Sequence, residues 1–390
     1  MNVSQNEKKD CCGCGLCEKI CPVAAITMEE DNLGFSYPSV NKGKCIECGK
    51  CCDNCIITNP IELKNPILCY AAARKDKDKL KLSSSGGVFA SIAESLIDSG
   101  KWGISGCVLD DSFLAKQKLV FNNENIKDMY GSKYVQCSMD NIYKEILDAL
   151  QLGKKILFSG TPCQVAAIKK YTGDHINLYT IEVICHGVSN NQMFVSYLEM
   201  YDKDNIERFV FRDKSQGWTY NNKIIYVGKK EKKVNHRMSS YMTYYLDGEI
   251  YRESCYSCPY ACGSRGADIT VGDFWGIIRK RPELKQVFDI ERGISCLLVN
   301  SEKGKKILEK ADIVYEYVSY EDIREGNEPL KCPSSHSDKR NEILKLWKER
   351  LNWRDVDGYW RAHDYSLAGH IWSKLPASIQ HRIRILLNKR

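Results

Sequence analysis

No stretch of this 390-residue chain comes near the roughly 20 consecutive apolar residues that a membrane-spanning helix requires. The opening residues, MNVSQNEKKD, are polar and charged, with no apolar run of signal-peptide length behind them, so a cytoplasmic protein is expected. There is no low-complexity tract. A G-x-G-x-x-G turn after a strand and a G-x4-G-K-S/T loop are both missing, which argues against a dinucleotide fold of the usual type and against an ATPase. Helix-turn-helix, zinc-finger and aromatic-plus-basic RNA motifs are missing too. The net charge of +7 is therefore a matter of solubility and association, and no nucleic-acid partner is expected. Part of the basic excess sits in the terminal segment LPASIQHRIRILLNKR, where Arg382, Arg384, Lys389 and Arg390 occur without an acid. With Ile379, Ile383, Leu386 and Leu387 on one side, that segment allows at most a peripheral membrane contact; a helix packed on the body is the competing reading.

Cysteine is abundant instead. Of the 20 cysteines, ten fall in the first 55 residues, and eight of these repeat one pattern twice. Cys11, Cys14, Cys17 and Cys21 follow C-x2-C-x2-C-x3-C, with Pro22 after the last. Cys45, Cys48, Cys51 and Cys55 repeat that spacing 34 residues further on, and Gly15 maps onto Gly49. Three thiolates at three-residue steps grip three corners of an iron–sulfur cube, and the fourth reaches across to the other cube. Two [4Fe–4S] clusters follow: one on Cys11, Cys14, Cys17 and Cys55, the other on Cys45, Cys48, Cys51 and Cys21. Zinc favours two separated C-x2-C pairs, and a disulfide framework belongs to short secreted chains, so both alternatives fit poorly. Ile56 stands where a proline is expected after Cys55. Cys12, Cys52 and Cys69 are off-register and are not expected to be ligands.

The chain divides into residues 1–62, the cysteine-rich module; 63–330, a mixed α/β body; and 331–390, a helical, tryptophan-rich extension. DNLGFSYPSV between the two runs reads as a small hairpin, and the apolar residues 23–28 are placed to cover the clusters. SSSGGVFASIAESLIDSG has apolar positions at helical spacing, with Gly100 as the stop. WGISGCVL, KKILFSG and NLYTIEVICHG read as strands, with helices over 141–150 and 164–171 between them. Such alternation indicates an α/β fold with a parallel or mixed sheet. Residues 206–228 turn β-like.

A third cysteine group lies in the body. Cys163 in GTPCQVAAI and Cys185 in ICHG each follow a predicted strand, and CYSCPYAC holds Cys255, Cys258 and Cys262. Strand ends in an α/β sheet converge on one crevice, so four of these five could hold another [4Fe–4S] cluster. Spacing selects Cys255 and Cys258 but does not choose among the other three, and a zinc site on Cys255, Cys258 and Cys262 stays open. Cys107 and Cys296 read as small core residues. The SSSGG segment before a helix, 131–134 (GSKY), Gly160–Thr161 and GDFWG are each ordinary turns when taken singly. Together they point to a large phosphate-bearing cofactor.

SSSGGVFASIAESLIDSGK, GSKYVQCS, LFSGTPCQVAAIKKY, ICHGV, CYSCPY and ADITVGDFWG, in that order, resemble the family formed by the beta subunits of coenzyme F420 hydrogenases and dehydrogenases. The likeness covers roughly residues 1–300 and includes the two-cluster module that bacterial members append. It implies FAD and a third [4Fe–4S] cluster on Cys163, Cys185, Cys255 and Cys258, with Cys262 as the alternate. It also places Ser85, Gly86, Gly87, Lys133, Gly160, Thr161 and Gln164 in flavin-binding segments. The FWG-type motif and the C-terminal region look like bacterial relatives linked to surface-polysaccharide synthesis, and nothing identifies a deazaflavin pocket.

The expected function is thus an iron–sulfur flavoprotein oxidoreductase. It would exchange electrons with ferredoxin or another redox protein and act on a small molecule, such as a surface-polysaccharide intermediate. An electron-transfer subunit of a larger redox complex, without its own substrate, is the alternative. His186 is the candidate general acid. A histidine hydrogen-bonded to the cluster or backbone is the plainer reading of the same residue.

Overall fold

The computed structural model describes residues 2–375 and residue 379. Ile383, Leu386, Leu387 and the four terminal basic residues lie outside the described residues. Among the described residues, no helix is long and apolar enough to cross a membrane.

The chain opens with an antiparallel hairpin, β1 (Ile26–Glu30) and β2 (Ser36–Val40), in which Ile26 faces Val40. The body is a mixed sheet with helices on both sides. Its strands begin with β3 (Leu68–Arg74), β4 (Trp102–Leu109), β5 (Ala115–Val120), β6 (Lys155–Gly160) and β7 (Leu178–Val183). A separate three-stranded antiparallel sheet follows, made of β8 (Ile206–Val210), β9 (Asn222–Tyr226) and β10 (Glu231–Val234). The chain then returns to the large sheet with β11 (Ile269–Asp273), β12 (Ser295–Val299) and β13 (Ile313–Tyr317). The order across its eight strands is β13-β3-β12-β11-β7-β6-β4-β5. The four inner strands β4, β6, β7 and β11 run parallel, and the flanking pairs are antiparallel.

That parallel block positions the site. Ile156, Leu157 and Phe158 of β6 are all fully buried, as expected of a strand covered on both faces. At its end, Thr161 and Gln164 form a reciprocal capping box with Pro162 at the first helical position, which starts the helix Pro162–Thr172 at once. The helix Val88–Ile97 buries Val88, Ile92, Ala93, Leu96 and Ile97 against the sheet, each larger aliphatic side chain contributing about 1.5–3 kcal/mol. Gly100, in a left-handed conformation, ends the segment as its sequence pattern predicts.

On the other side, Leu16 and Ile56 of the cysteine-rich module are fully buried in the same core as Ile146, Phe158 and Val165. Ile56 in place of proline therefore plugs the module into the body. The C-terminal helices Lys339–Arg350 and Trp353–His363 bring Trp347, Trp353 and Trp360 into a core with Phe194, Tyr197 and Tyr241. Trp347 Nε1 donates to Leu33 O at 2.9 Å, tying this region to the hairpin turn.

Candidate functional site

Each cysteine run folds around a one-turn helix, Leu16–Lys19 or Lys50–Asp53, preceded by a glycine at φ +76°. Gly15 and Gly49 adopt this left-handed conformation without strain, which turns the chain so that the flanking cysteines face inward. Cys21 lines one small cavity with Cys45, Cys48 and Cys51, so the first run's last cysteine sits beside the second run. Cys17 lies near Cys11, Cys55 and Cys51, and burial first, then the Cys11 charge, pushes its thiol up to about 12. Ala25 N donates to Cys21 Sγ at 3.2 Å, Asn2 Nδ2 to Cys45 Sγ at 3.7 Å and Asn6 Nδ2 to Cys55 Sγ at 3.5 Å. Hydrogen bonds to sulfur raise the potential of a bound cluster. Asn2 and Asn6 escaped sequence analysis because only the folded N-terminus brings them to the cysteines.

The body holds a cavity of about 640 Å³ at the C-terminal ends of the parallel strands. Cys163 after β6, Cys185 after β7, and Cys255 and Cys258 around the turn Glu253–Ser257 all line it. The Cys185 thiol feels the charges of Cys255, Cys163 and Cys258, so the four form one group. Burial pushes Cys255 up to about 12 and Cys258 up to about 11. Cys262 turns away, its Sγ donating to Ser264 O at 3.3 Å. Four soft donors converging from three elements in a desolvated pocket suit a thiolate-ligated iron–sulfur cluster, whose positive charge would reverse the penalty of ionising them. Among the described residues, no three His, Cys, Asp or Glu side chains close around a single metal ion. Cys12, set aside in the sequence reading, lies against both Cys14 and Cys163. It joins the module to the body.

The expected flavin segments surround the same cavity: Ser85, Gly87, Lys133, Gly160, Thr161 and Gln164 all line it. Gly86 does not. A Cβ there would stand 2.1 Å from Ala72 O, so this glycine lets the loop press onto β3, while its N–H donates to Ser295 Oγ of β12 at 2.9 Å. Ser85 Oγ donates to Ile294 O, and Ser132 N donates to Ser84 Oγ, knitting the serine–glycine loop to the GSKY turn.

Lys133 spends its ammonium on the carbonyls of Asp128, Tyr130 and Gly131, at 2.7, 3.0 and 3.3 Å, and burial lowers it to about 8. It shapes the turn. Gln164 bridges Thr161 N and Cys137 O. His186 lines the cavity, its backbone carbonyl accepting from Ser334, and burial holds its imidazole below the usual histidine range.

Other residues of the site gave no sequence signal. Arg252, fully buried, donates to Cys11 O and Ser36 O at 2.7 Å each and to Gln136 Oε1 at 3.2 Å, and stacks 4.1 Å over Tyr37. Lys214, buried, donates to the carbonyls of Leu80, Ser85 and Arg292, so it braces the serine–glycine loop from behind. Arg212 pairs with Asp273 at 2.8 Å beside the stacked rings of Trp218 and Trp275, 4.1 Å apart. An isolated arginine or lysine announces nothing until its partners are in place.

Residues 153–325, which contain Cys163, Cys185, Cys255 and Cys258, match the model for the C terminus of the coenzyme F420 hydrogenase/dehydrogenase beta subunit. Over those residues the chain is similar to this family of beta subunits. Among relatives, it is 22% identical over 325 residues to a subunit of the F420H2 dehydrogenase of Methanosarcina mazei, covering 77% of this chain and 87% of that protein. It is 23% identical over 356 residues to an uncharacterized protein of Methanocaldococcus jannaschii, covering 80% and 89%. A solved chain from the xenon-derivatised F420-reducing [NiFe] hydrogenase complex of Methanosarcina barkeri overlays with a TM-score of 0.46 at 16% identity, covering 78% of this chain and 95% of that one. The match to the family model spans three of the four parallel strands, β6, β7 and β11, and begins after the cysteine-rich module.

Proposed function

We propose that this chain is an iron–sulfur redox subunit that relays electrons between a partner redox protein and the cavity of its own body. The observation that carries this reading is the position of Cys12, lying against Cys14 of the module and Cys163 of the body. Two thiol-lined places built by unrelated parts of the sequence are thereby neighbours. The ligand sets are Cys11, Cys14, Cys17 and Cys55; Cys45, Cys48, Cys51 and Cys21; and Cys163, Cys185, Cys255 and Cys258. Clusters there would supply single-electron carriage. FAD would rest against the loops of Ser85, Gly87, Gly160 and Thr161, and when bound it supplies the conversion between single electrons and a hydride.

The residues around the cavity bind and exclude water. Tyr260, Tyr251 and Tyr245 close its walls and are themselves buried. Neutral His186 is the group placed to hold a proton at the cavity. Cys48 is exposed, which makes the outer end of the module the natural face for a redox protein. The M. mazei relative is one part of a dehydrogenase, which agrees with a role inside a larger redox complex.

A second reading, a reductase acting directly on a small molecule, is favoured by the cavity itself. Its volume of about 640 Å³ falls within the ~300–1,000 Å³ of small-molecule sites. Tyr220 and His236, from outside the main sheet, complete its wall.

Anaerobic purification with iron, acid-labile sulfide and flavin measured on one sample tests both readings. About twelve irons and one FAD per chain are expected for three four-iron clusters beside a flavin. About eight irons and no flavin would reduce the protein to a two-cluster carrier. Reoxidation of the reduced chain by sugar substrates alone would select the second reading, and reoxidation only by a protein partner the first.

A further inference from the structure

Two cysteines outside the proposed ligand sets meet on the wall of the same cavity. Cys107 lies on β4. Cys137 follows the GSKY turn, in a segment that runs beside β5: Gln117 N donates to Ser138 O and Ser138 N to Ala115 O, each at 2.9 Å. The two thiols lie close enough to interact and both line the cavity, with Cys137 Sγ also donating to Ser138 O at 3.6 Å. Neither is in a disulfide. The Lys133 ammonium stands close enough to feel both. The pair is asymmetric: the neighbouring Cys137 and the Lys133 charge draw the Cys107 thiol below its ordinary value against the effect of burial, while burial pushes Cys137 up. The two sulfurs thus differ in how readily each gives up its proton, the step that makes a thiol reactive.

We propose that Cys107 and Cys137 form a dithiol–disulfide couple that exchanges an electron pair with the two-electron carrier of the cavity. On oxidation the two thiols lose two protons and two electrons and one S–S bond forms. The electron pair and one proton pass to an oxidised isoalloxazine, and the second proton leaves to solvent. In reverse, the reduced isoalloxazine returns the pair, the S–S bond breaks and each sulfur takes a proton. The couple rests on the reading that a flavin occupies the cavity. It gives the site a two-electron reserve distinct from the one-electron clusters.

The test uses the full chain, purified anaerobically with its bound cofactors. One sample is kept reduced with dithiothreitol, and another is oxidised with stoichiometric diamide. Both are then denatured in N-ethylmaleimide and mapped by peptide mass spectrometry. The expected result is a linked Cys107–Cys137 peptide in the oxidised sample alone. Cys107→Ser, checked for unchanged iron and flavin content, is expected to take up two fewer electron equivalents per chain in a dithionite titration. Cys137→Ser serves as the second variant. If both cysteines are labelled in the oxidised wild type, and the variants titrate like it, the couple is refuted. A chain that lacks flavin yet forms the linked peptide keeps the couple and rejects the flavin. A chain that binds flavin while both thiols stay free rejects the couple alone.

Discussion

In the cysteine-rich module, candidate ligands three residues apart are gathered by single turns of helix. Around the cavity they come from the ends of β6 and β7 and from the turn Glu253–Ser257, and a parallel sheet gathers them. The glycines of the two regions differ in the same sense. Gly15 is needed for its left-handed backbone, and a Cβ there would meet nothing within 4 Å. Gly86 has no such conformation to defend but sits against the Ala72 carbonyl. Local geometry builds the first site and close packing of distant segments builds the second, so the two should respond differently to the same kind of damage.

The sharpest way to separate them is metal content. Cys258→Ala is expected to lower iron by about four atoms per chain while leaving the module loaded, and Cys48→Ala to do the converse. Iron and sulfide analysis with electron paramagnetic resonance checks this; full iron in Cys258→Ala would mean the body holds no cluster on that residue.

Arg252 is one of the joints between the regions. Arg252→Met leaves the carbonyls of Cys11 and Ser36 without their buried donor and should cost about 3 kcal/mol. Arg252→Lys should not restore it, since an ammonium cannot span the same fork of acceptors. Limited proteolysis that releases the module faster in both variants is the expected readout, and wild-type resistance in Arg252→Met would show that the joint is made elsewhere.

The paired glycines give the next comparison. Gly86→Ala drives a methyl into backbone that cannot rotate aside and should destabilise by about 3 kcal/mol. Gly15→Ala, in open space, should cost about 1–2 kcal/mol, the penalty of the left-handed backbone alone. Thermal unfolding of the two variants side by side decides it, and a reversed order would break the contrast.

The smallest effect concerns pH. Burial lowers Lys214 to about 7, whereas an unfolded lysine titrates near about 10.4. The native state therefore binds fewer protons across that window, so this residue makes stability rise with pH between those values and fall as pH drops toward the lower one. Replacing it by methionine should flatten the slope by at most about 1.4 kcal/mol per pH unit. Denaturant unfolding at several pH values measures the slope; an unchanged slope would mean Lys214 keeps its proton when folded.

Legibility in the sequence followed the same division. The spacing of the N-terminal cysteines, the helix after SSSGG and the strands ending at Gly160 and Val183 were all readable, because each depends on neighbours a few residues away. Strands β3, β12 and β13 were not. LCYAAAR has no alternation to mark it, since β3 is covered on both faces and flanked by strands from the far end of the chain. The residues 206–250 offered no motif, and Tyr220, His236 and Tyr245 of that segment line the cavity. Lys133 falls in a segment expected to bind the flavin, but in the fold its proton donors are taken by backbone carbonyls.

Chemistry that rests on short spacing belonged to the sequence: the thiol donors of the module and the α/β alternation that brings strand ends to one edge. Only the tertiary structure decided which cysteines share the body's cavity, that Cys262 turns away, that Cys12 bridges the two regions, and that Cys107 meets Cys137. Those outcomes depend on sheet order and on buried partners such as Arg252 and Lys214. A side chain's chemical role is set by what surrounds it after distant segments have packed, and sequence spacing carries no record of that.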